Sequence, residues 1–132
     1  MARPPHHDPR QPRHSNRRRA LYSLLTILYS LSVSGCRSTP APIPIDQLNA
    51  QQLRGHDYFQ SHCAQCHYDR TPDPLHGPSL RAIYKKPYLP SGAPANDDRV
   101  SATILHGRNL MPAQADTDPQ DLTDLLTYLH TL

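Results

Sequence analysis

Within five residues, Cys63-Ala64-Gln65-Cys66-His67, the chain places two thiols and an imidazole, and no other local feature restricts so tightly what it can fold around. Cysteines at this spacing lie on one turn of backbone, so both can bond a single rigid partner, and the next side chain is carried to the same place. C-x-x-C-H is the pattern that attaches c-type haem: each thiol adds across one vinyl group of the porphyrin, and the histidine reaches the iron. Other uses of these residues stay open at this point. A thioredoxin-like C-x-x-C needs a βαβ setting that the surrounding sequence lacks. A structural zinc site needs four ligands, and there is no second cysteine pair, only scattered histidines. A plain disulfide across the turn, or a chance pentapeptide, completes the set.

The first third of the chain reads as an address. Residues 1–19 hold six arginines against one acid, Asp8, and are followed by fifteen uncharged residues, Ala20–Ser34. That run suits the apolar core of a signal peptide and is shorter than the roughly 17 to 25 residues that span a bilayer. It ends in Val33-Ser34-Gly35-Cys36, which resembles the lipobox of bacterial lipoproteins, with Cys36 as the residue that is lipidated and becomes the new N-terminus. Several acyl chains on one terminus give durable anchoring where one gives only marginal binding. The expected organisation is a lipoprotein signal peptide over 1–35, the lipidated Cys36 and a proline-rich tether over 36–48, and one domain over 49–132. Alternate prolines in Ser38-Thr39-Pro40-Ala41-Pro42-Ile43-Pro44 forbid helix and favour an extended spacer.

Processing at Cys36 changes the charge. The whole chain is formally +3, but residues 36–132 carry eight Lys or Arg and ten Asp, a net −2. The basic balance belongs to the leader, and with no basic stripe left in the mature part, no nucleic-acid partner is expected.

The domain pattern is helical. Asn49 has Gln52 three residues on, the sign of a capping box, and Gly55, Phe59 and Cys63 recur at four-residue spacing along one helix face. Asp118 and Pro119 suit a helix start, and Leu122, Leu125, Leu126, Leu129 and Leu132 form one stripe behind them. Between them, Asp97 or Asp98 could cap a short helix bearing Val100 and Ile104 and ending at Gly107. Residues 69–95 are proline-punctuated and show no strand alternation. The fold expected is all-α, three to four helices around one haem, which supplies apolar centre that so short a domain lacks.

A sixth iron ligand decides between electron transfer and gas binding. Apart from Met1 the sequence has one methionine, Met111, followed by Pro112. A thioether ligand raises the potential relative to two imidazoles, and the proline stiffens the backbone presenting it. His76 and His106 are the plausible replacements for it; His56, His62 and His130 read as surface or helix residues.

Over residues 49–132 the chain resembles the bacterial class I cytochromes c: the Gly55 and Phe59 helix before Cys63-Ala64-Gln65-Cys66-His67, then Gly77-Pro78-Ser79-Leu80, then Gly107 leading to Met111-Pro112, then the helix ending Thr127-Tyr128-Leu129. Tyr68, where many members carry Gly, and the 85–96 loop depart from the pattern. The resemblance implies one haem c bound covalently through Cys63 and Cys66, iron ligation by His67 and Met111, the Pro78 carbonyl accepting from the His67 ring, and terminal helices meeting at Gly55 with Phe59 and Tyr128. Arg81, Tyr84 and Arg108 are candidates for the haem propionates. The expected role is a one-electron carrier, not an enzyme, held on the periplasmic side of a bacterial envelope by its lipid, at the outer membrane since Arg37 is not the Asp that retains lipoproteins at the inner one. Its partners would be redox proteins of a membrane-associated chain, with the carrier itself a monomer unless built into a complex. The alternatives are a haem-based sensor with a displaceable sixth ligand, and the electron-transfer subunit of a dehydrogenase or oxidase.

Overall fold

The structure, a computed structural model, describes residues 39–132 together with 19 and 21–23. Two compact units are distinguished, Met1–Ser38 and Thr39–Leu132. In the first, Arg19 and residues 21–23 are helical, and the Ser23 hydroxyl donates to the Arg19 carbonyl at 2.9 Å. Cys36 and most of the apolar run lie outside the described residues. No helix among the described residues is long and apolar enough to cross a membrane.

The second unit is built from three α-helices, α1 (Ala50–His62), α2 (Asp97–His106) and α3 (Pro119–Leu129), with short 3-10 turns at Ile45–Gln47 and Ile83–Lys85. Among the described residues there is no strand, only the isolated bridges Tyr88–Pro94 and Arg108–Met111. Helix α1 starts where its sequence demands: Asn49 Oδ1 accepts from the Gln52 N–H at 2.9 Å, and Gln52 Oε1 accepts from the Asn49 N–H at 2.9 Å. That reciprocal cap is worth about 1 kcal/mol. Asp118 caps α3 by accepting from the Gln120 N–H at 2.7 Å, with Pro119 in the first turn. The cap of α2 is neither Asp97 nor Asp98 but Asn96, whose Oδ1 accepts from the Arg99 N–H at 3.0 Å; the two aspartates fill the first turn, where their charge favours the helix dipole.

Helices α1 and α3 form the main interhelical contact. A Cβ on Gly55 would lie 2.0 Å from the Asp124 carbonyl oxygen and 2.8 Å from the Tyr128 Cβ, so only glycine lets the backbones come this close. Phe59 and Tyr128 close the contact with ring centroids 6.0 Å apart, and both are fully buried. Burying each contributes about 1.5–3 kcal/mol. Beside them Asp124 is buried yet paired: Arg54 Nε donates to Oδ2 at 2.6 Å and Gln120 Nε2 to Oδ1 at 2.8 Å. The Arg54 guanidinium holds the Asp124 carboxyl below the usual carboxylate range.

The leucine stripe of α3 faces the core, with Leu125, Leu129 and Leu132 buried and Leu122 and Leu126 partly so. Three buried hydrophobic positions fall outside any helix pattern. Ala82 reaches the interior through a left-handed turn, φ 57°, Leu89 through the proline-rich loop, and Leu48 from the end of the tether. The tether is fastened earlier still, at Ile43, whose N–H donates to the Thr131 carbonyl at 2.8 Å and whose carbonyl accepts from Arg70 Nη2 at 2.5 Å.

Candidate functional site

Helix α1 ends at His62, and the backbone coils on for one further turn through the pentapeptide. The Cys63 N–H donates to the Phe59 carbonyl at 2.8 Å, and the N–H groups of Cys66 and His67 both donate to the Cys63 carbonyl at 3.0 Å. The turn half-buries both thiols. Burial, with Cys66 nearby, pushes the Cys63 thiol up to about 11, so the free chain holds it protonated at neutral pH.

Gly77 is drawn against this turn by its N–H, which donates to the Cys66 carbonyl at 2.8 Å. A Cβ there would stand 2.3 Å from His67 Cε1 and 2.7 Å from Nδ1, so the absence of a side chain makes the bed for the imidazole. The next residue completes it: Pro78 O lies 2.8 Å from His67 Nδ1. With Nδ1–H donating to that carbonyl, the free lone pair of the ring is on Nε2, the form in which histidine ligates a metal.

These residues open on a cavity of about 450 Å³. Its walls include Phe59, Leu80, Ile83, Leu89, Val100, Ile104, Leu125 and Leu129, and Cys63, Cys66, His67 and Met111 all line it. Met111 is presented by a tight turn: the Arg108 N–H donates to the Met111 carbonyl at 3.0 Å and the Met111 N–H to the Arg108 carbonyl at 2.9 Å. Gly107, φ 71°, ends α2 ahead of that turn, and a Cβ on it would meet the Met111 carbonyl oxygen at 2.7 Å.

Of the candidate replacements for Met111, His76 lines the cavity and His106 does not. His62 also lines it, held by Nδ1 3.1 Å from the Tyr58 carbonyl and by stacking on the Tyr58 ring at 4.1 Å. Arg108 borders the cavity, whereas Arg81 and Tyr84 do not. Tyr84 stacks instead on His130 with centroids 3.8 Å apart, while His130 Nε2 meets Asp97 Oδ1 at 2.9 Å. No sequence periodicity points to Leu80, Ile83 or Leu89 as cavity walls; Leu80 belongs to the Gly77-Pro78-Ser79-Leu80 segment of the resemblance, and for Ile83 and Leu89 the signal is an apolar residue between prolines and turns. Among the described residues no group of three or more His, Cys, Asp or Glu is placed to hold a bare metal ion.

The residues fit a haem. The cavity is of cofactor size and apolar-walled, two thiols and an oriented imidazole stand on one turn of its lining, and a thioether stands on another part of it. Fold and site together are those of a class I mono-haem cytochrome c. A match to the family described as cytochrome c oxidase, cbb3-type, subunit III, spans residues 50–129, and the chain belongs to that family; with it comes a covalently bound haem c and a role in electron transfer. Among curated proteins none matches the chain.

Proposed function

We propose that this chain is a membrane-tethered one-electron carrier on the periplasmic side of a bacterial envelope, with His67 and Met111 as axial ligands and Cys63 and Cys66 as the haem attachment points. The observation that carries the reading is that all four side chains line one cavity while Pro78 O orients the His67 ring from 2.8 Å. One-electron exchange between ferric and ferrous iron is the chemistry a bound haem supplies. The chain's own residues do the rest. Pro78 and Gly77 fix the imidazole and its tautomer, which sets ligand basicity. The apolar walls exclude water and so favour the less charged state of the centre. The Arg108–Met111 turn fixes the backbone that carries the thioether, and Met111 would supply the second iron ligand to a haem held by Cys63, Cys66 and His67.

Val33-Ser34-Gly35-Cys36 supports the lipid anchor, and the −2 charge of residues 36–132 suits a protein exposed to solvent beside a membrane. Mass spectrometry of the mature chain tests this part: an N-terminal Cys36 carrying acyl chains is expected, and an unmodified or uncleaved terminus contradicts it.

The family description favours a second reading of the same chemistry, an electron-transfer subunit of an oxidase. Purification from native membranes in mild detergent separates the two: the carrier migrates alone, the subunit with its complex. A sensor differs in having a displaceable ligand. The reduced holoprotein should not react with carbon monoxide; ready formation of a carbon monoxide adduct would support the sensor instead.

A further inference from the structure

Two residues beyond His67 the chain is fastened to a distant helix: Asp69 Oδ2 accepts from the Tyr128 hydroxyl on α3, 59 residues away. Tyr128 is fully buried against Phe59, and its ring needs no hydroxyl for that packing. A phenol oxygen in such a place is costly unless it is bonded, and Asp69 supplies the bond. Burial first, and then the Asp69 carboxylate, hold the phenol far above its ordinary range, so it stays protonated and donates. The Tyr128 carbonyl is held as well, accepting from the Thr131 N–H at 2.8 Å and from the Thr131 hydroxyl at 2.7 Å.

On its other side Asp69 belongs to the segment that presents the imidazole. The Tyr68 carbonyl accepts from the Leu80 N–H at 2.8 Å, and the Thr71 carbonyl accepts from the Ser79 hydroxyl at 2.5 Å. Those two rungs lie on either side of Asp69 and tie residues 68–71 to the loop whose Pro78 carbonyl stands 2.8 Å from His67 Nδ1. The loop that orients the ring therefore hangs from residues 68–71, and the Asp69 side chain fastens those residues to α3.

We infer that Tyr128 is a positioning residue for His67: through Asp69, its hydroxyl fixes the place from which the Pro78 carbonyl holds the imidazole. The inference rests on the reading of His67 as an iron ligand. Covalent attachment at Cys63 and Cys66 keeps His67 beside the haem. Without the hydroxyl, residues 68–71 and the Pro78 loop can shift together relative to that ring, which weakens the Nδ1–H to carbonyl bond. A ligand that donates less strongly to its neighbour is less basic, and the ferric state loses stabilisation.

The test compares purified holoproteins: wild type, Tyr128→Phe, Asp69→Ala, Asp69→Asn and Asn49→Ala. Solvent exchange of the His67 Nδ1 proton is read by NMR in the reduced state, beside the reduction potential and the denaturant midpoint. In Tyr128→Phe the proton should exchange about tenfold faster and the potential should rise. Asp69→Ala and Asp69→Asn remove the same charge, but asparagine keeps an acceptor oxygen, so Asp69→Asn should exchange more slowly than Asp69→Ala and approach wild type. This pair carries the same comparison if Tyr128→Phe yields no holoprotein. Asn49→Ala removes the α1 cap at the end of the helix far from Cys63, and should lower the midpoint while leaving exchange and potential unchanged. A wild type in which His67 is not bound to iron overturns the ligand reading itself. If wild type has that ligand and Tyr128→Phe matches it in exchange and potential, the ligand reading stands and the positioning role is overturned. Equal shifts in Asn49→Ala also overturn it, because they would report lost stability alone.

Discussion

The carbonyl oxygen of Pro78 stands 2.8 Å from Nδ1 of His67, and Gly77, one residue earlier, comes so close to the same ring that a Cβ would lie 2.3 Å from Cε1. One short loop therefore both orients the imidazole and shapes the space it occupies.

Replacing Gly77 with alanine tests that bed. The added methyl group must displace either the ring or the loop hydrogen-bonded to Cys66, at a cost of about 1–3 kcal/mol. We expect the purified holoprotein to unfold at lower denaturant and its reduction potential to move, because the imidazole loses its orientation. A Gly77→Ala protein with wild-type midpoint and potential would show that the loop gives way freely.

Gly55→Ala makes the same test at the helix contact. Alanine gains about 1 kcal/mol of helix propensity over glycine. Its Cβ would meet the Asp124 carbonyl oxygen at 2.0 Å, and that atom is backbone, which cannot swing aside. The steric cost of about 1–3 kcal/mol or more wins, so denaturant unfolding should show net destabilisation.

Much of this was legible in advance, and the boundary is physical. Asn49 with Gln52, Asp118 with Pro119, and the leucines of α3 act through neighbours three or four residues away, so their pattern stands in the linear chain. The motif residues could be named as candidates because covalent attachment demands a fixed spacing. The cap of α2 falls on Asn96, one residue before Asp97 and two before Asp98, since all three side chains can cap and only backbone geometry chooses. Ala82, Leu89 and Leu48 were not foreseen as core, because they are buried by tertiary contact from irregular segments. The Arg54–Asp124 pair, 70 residues apart, left no trace in local sequence.

That pair sets a pH dependence. The Asp124 carboxyl is held below its ordinary range by Arg54, so the unfolded chain binds the proton more readily than the folded one. Its contribution is fully present above the unfolded value of about 4 and is lost as pH falls through the lower folded value. Asp124→Asn should be less stable than wild type at neutral pH, with the gap narrowing on acidification below about pH 4. Unfolding titrations at several pH values check this; a gap that widens in acid contradicts the assignment.

Arg70 should tie the tether to the domain. Its Nη2 donates to the Ile43 carbonyl at 2.5 Å while the Ile43 N–H donates to Thr131, so both backbone groups of Ile43 are held. Arg70→Ala should release this point, costing about 1–3 kcal/mol of local stability. Amide exchange reads it directly: the Ile43 N–H should lose protection while the Cys63 and Cys66 amides keep theirs.

The central claim is that His67 and Met111 together close the coordination of the haem iron. The ferric absorption spectrum of wild type and Met111→Ala holoprotein tests it most directly. Wild type should show the weak charge-transfer band of a thioether-ligated ferric haem, and Met111→Ala should lose that band, fall in potential and gain carbon monoxide binding when reduced. A wild-type spectrum without the band, or a Met111→Ala protein that keeps it, would contradict the account.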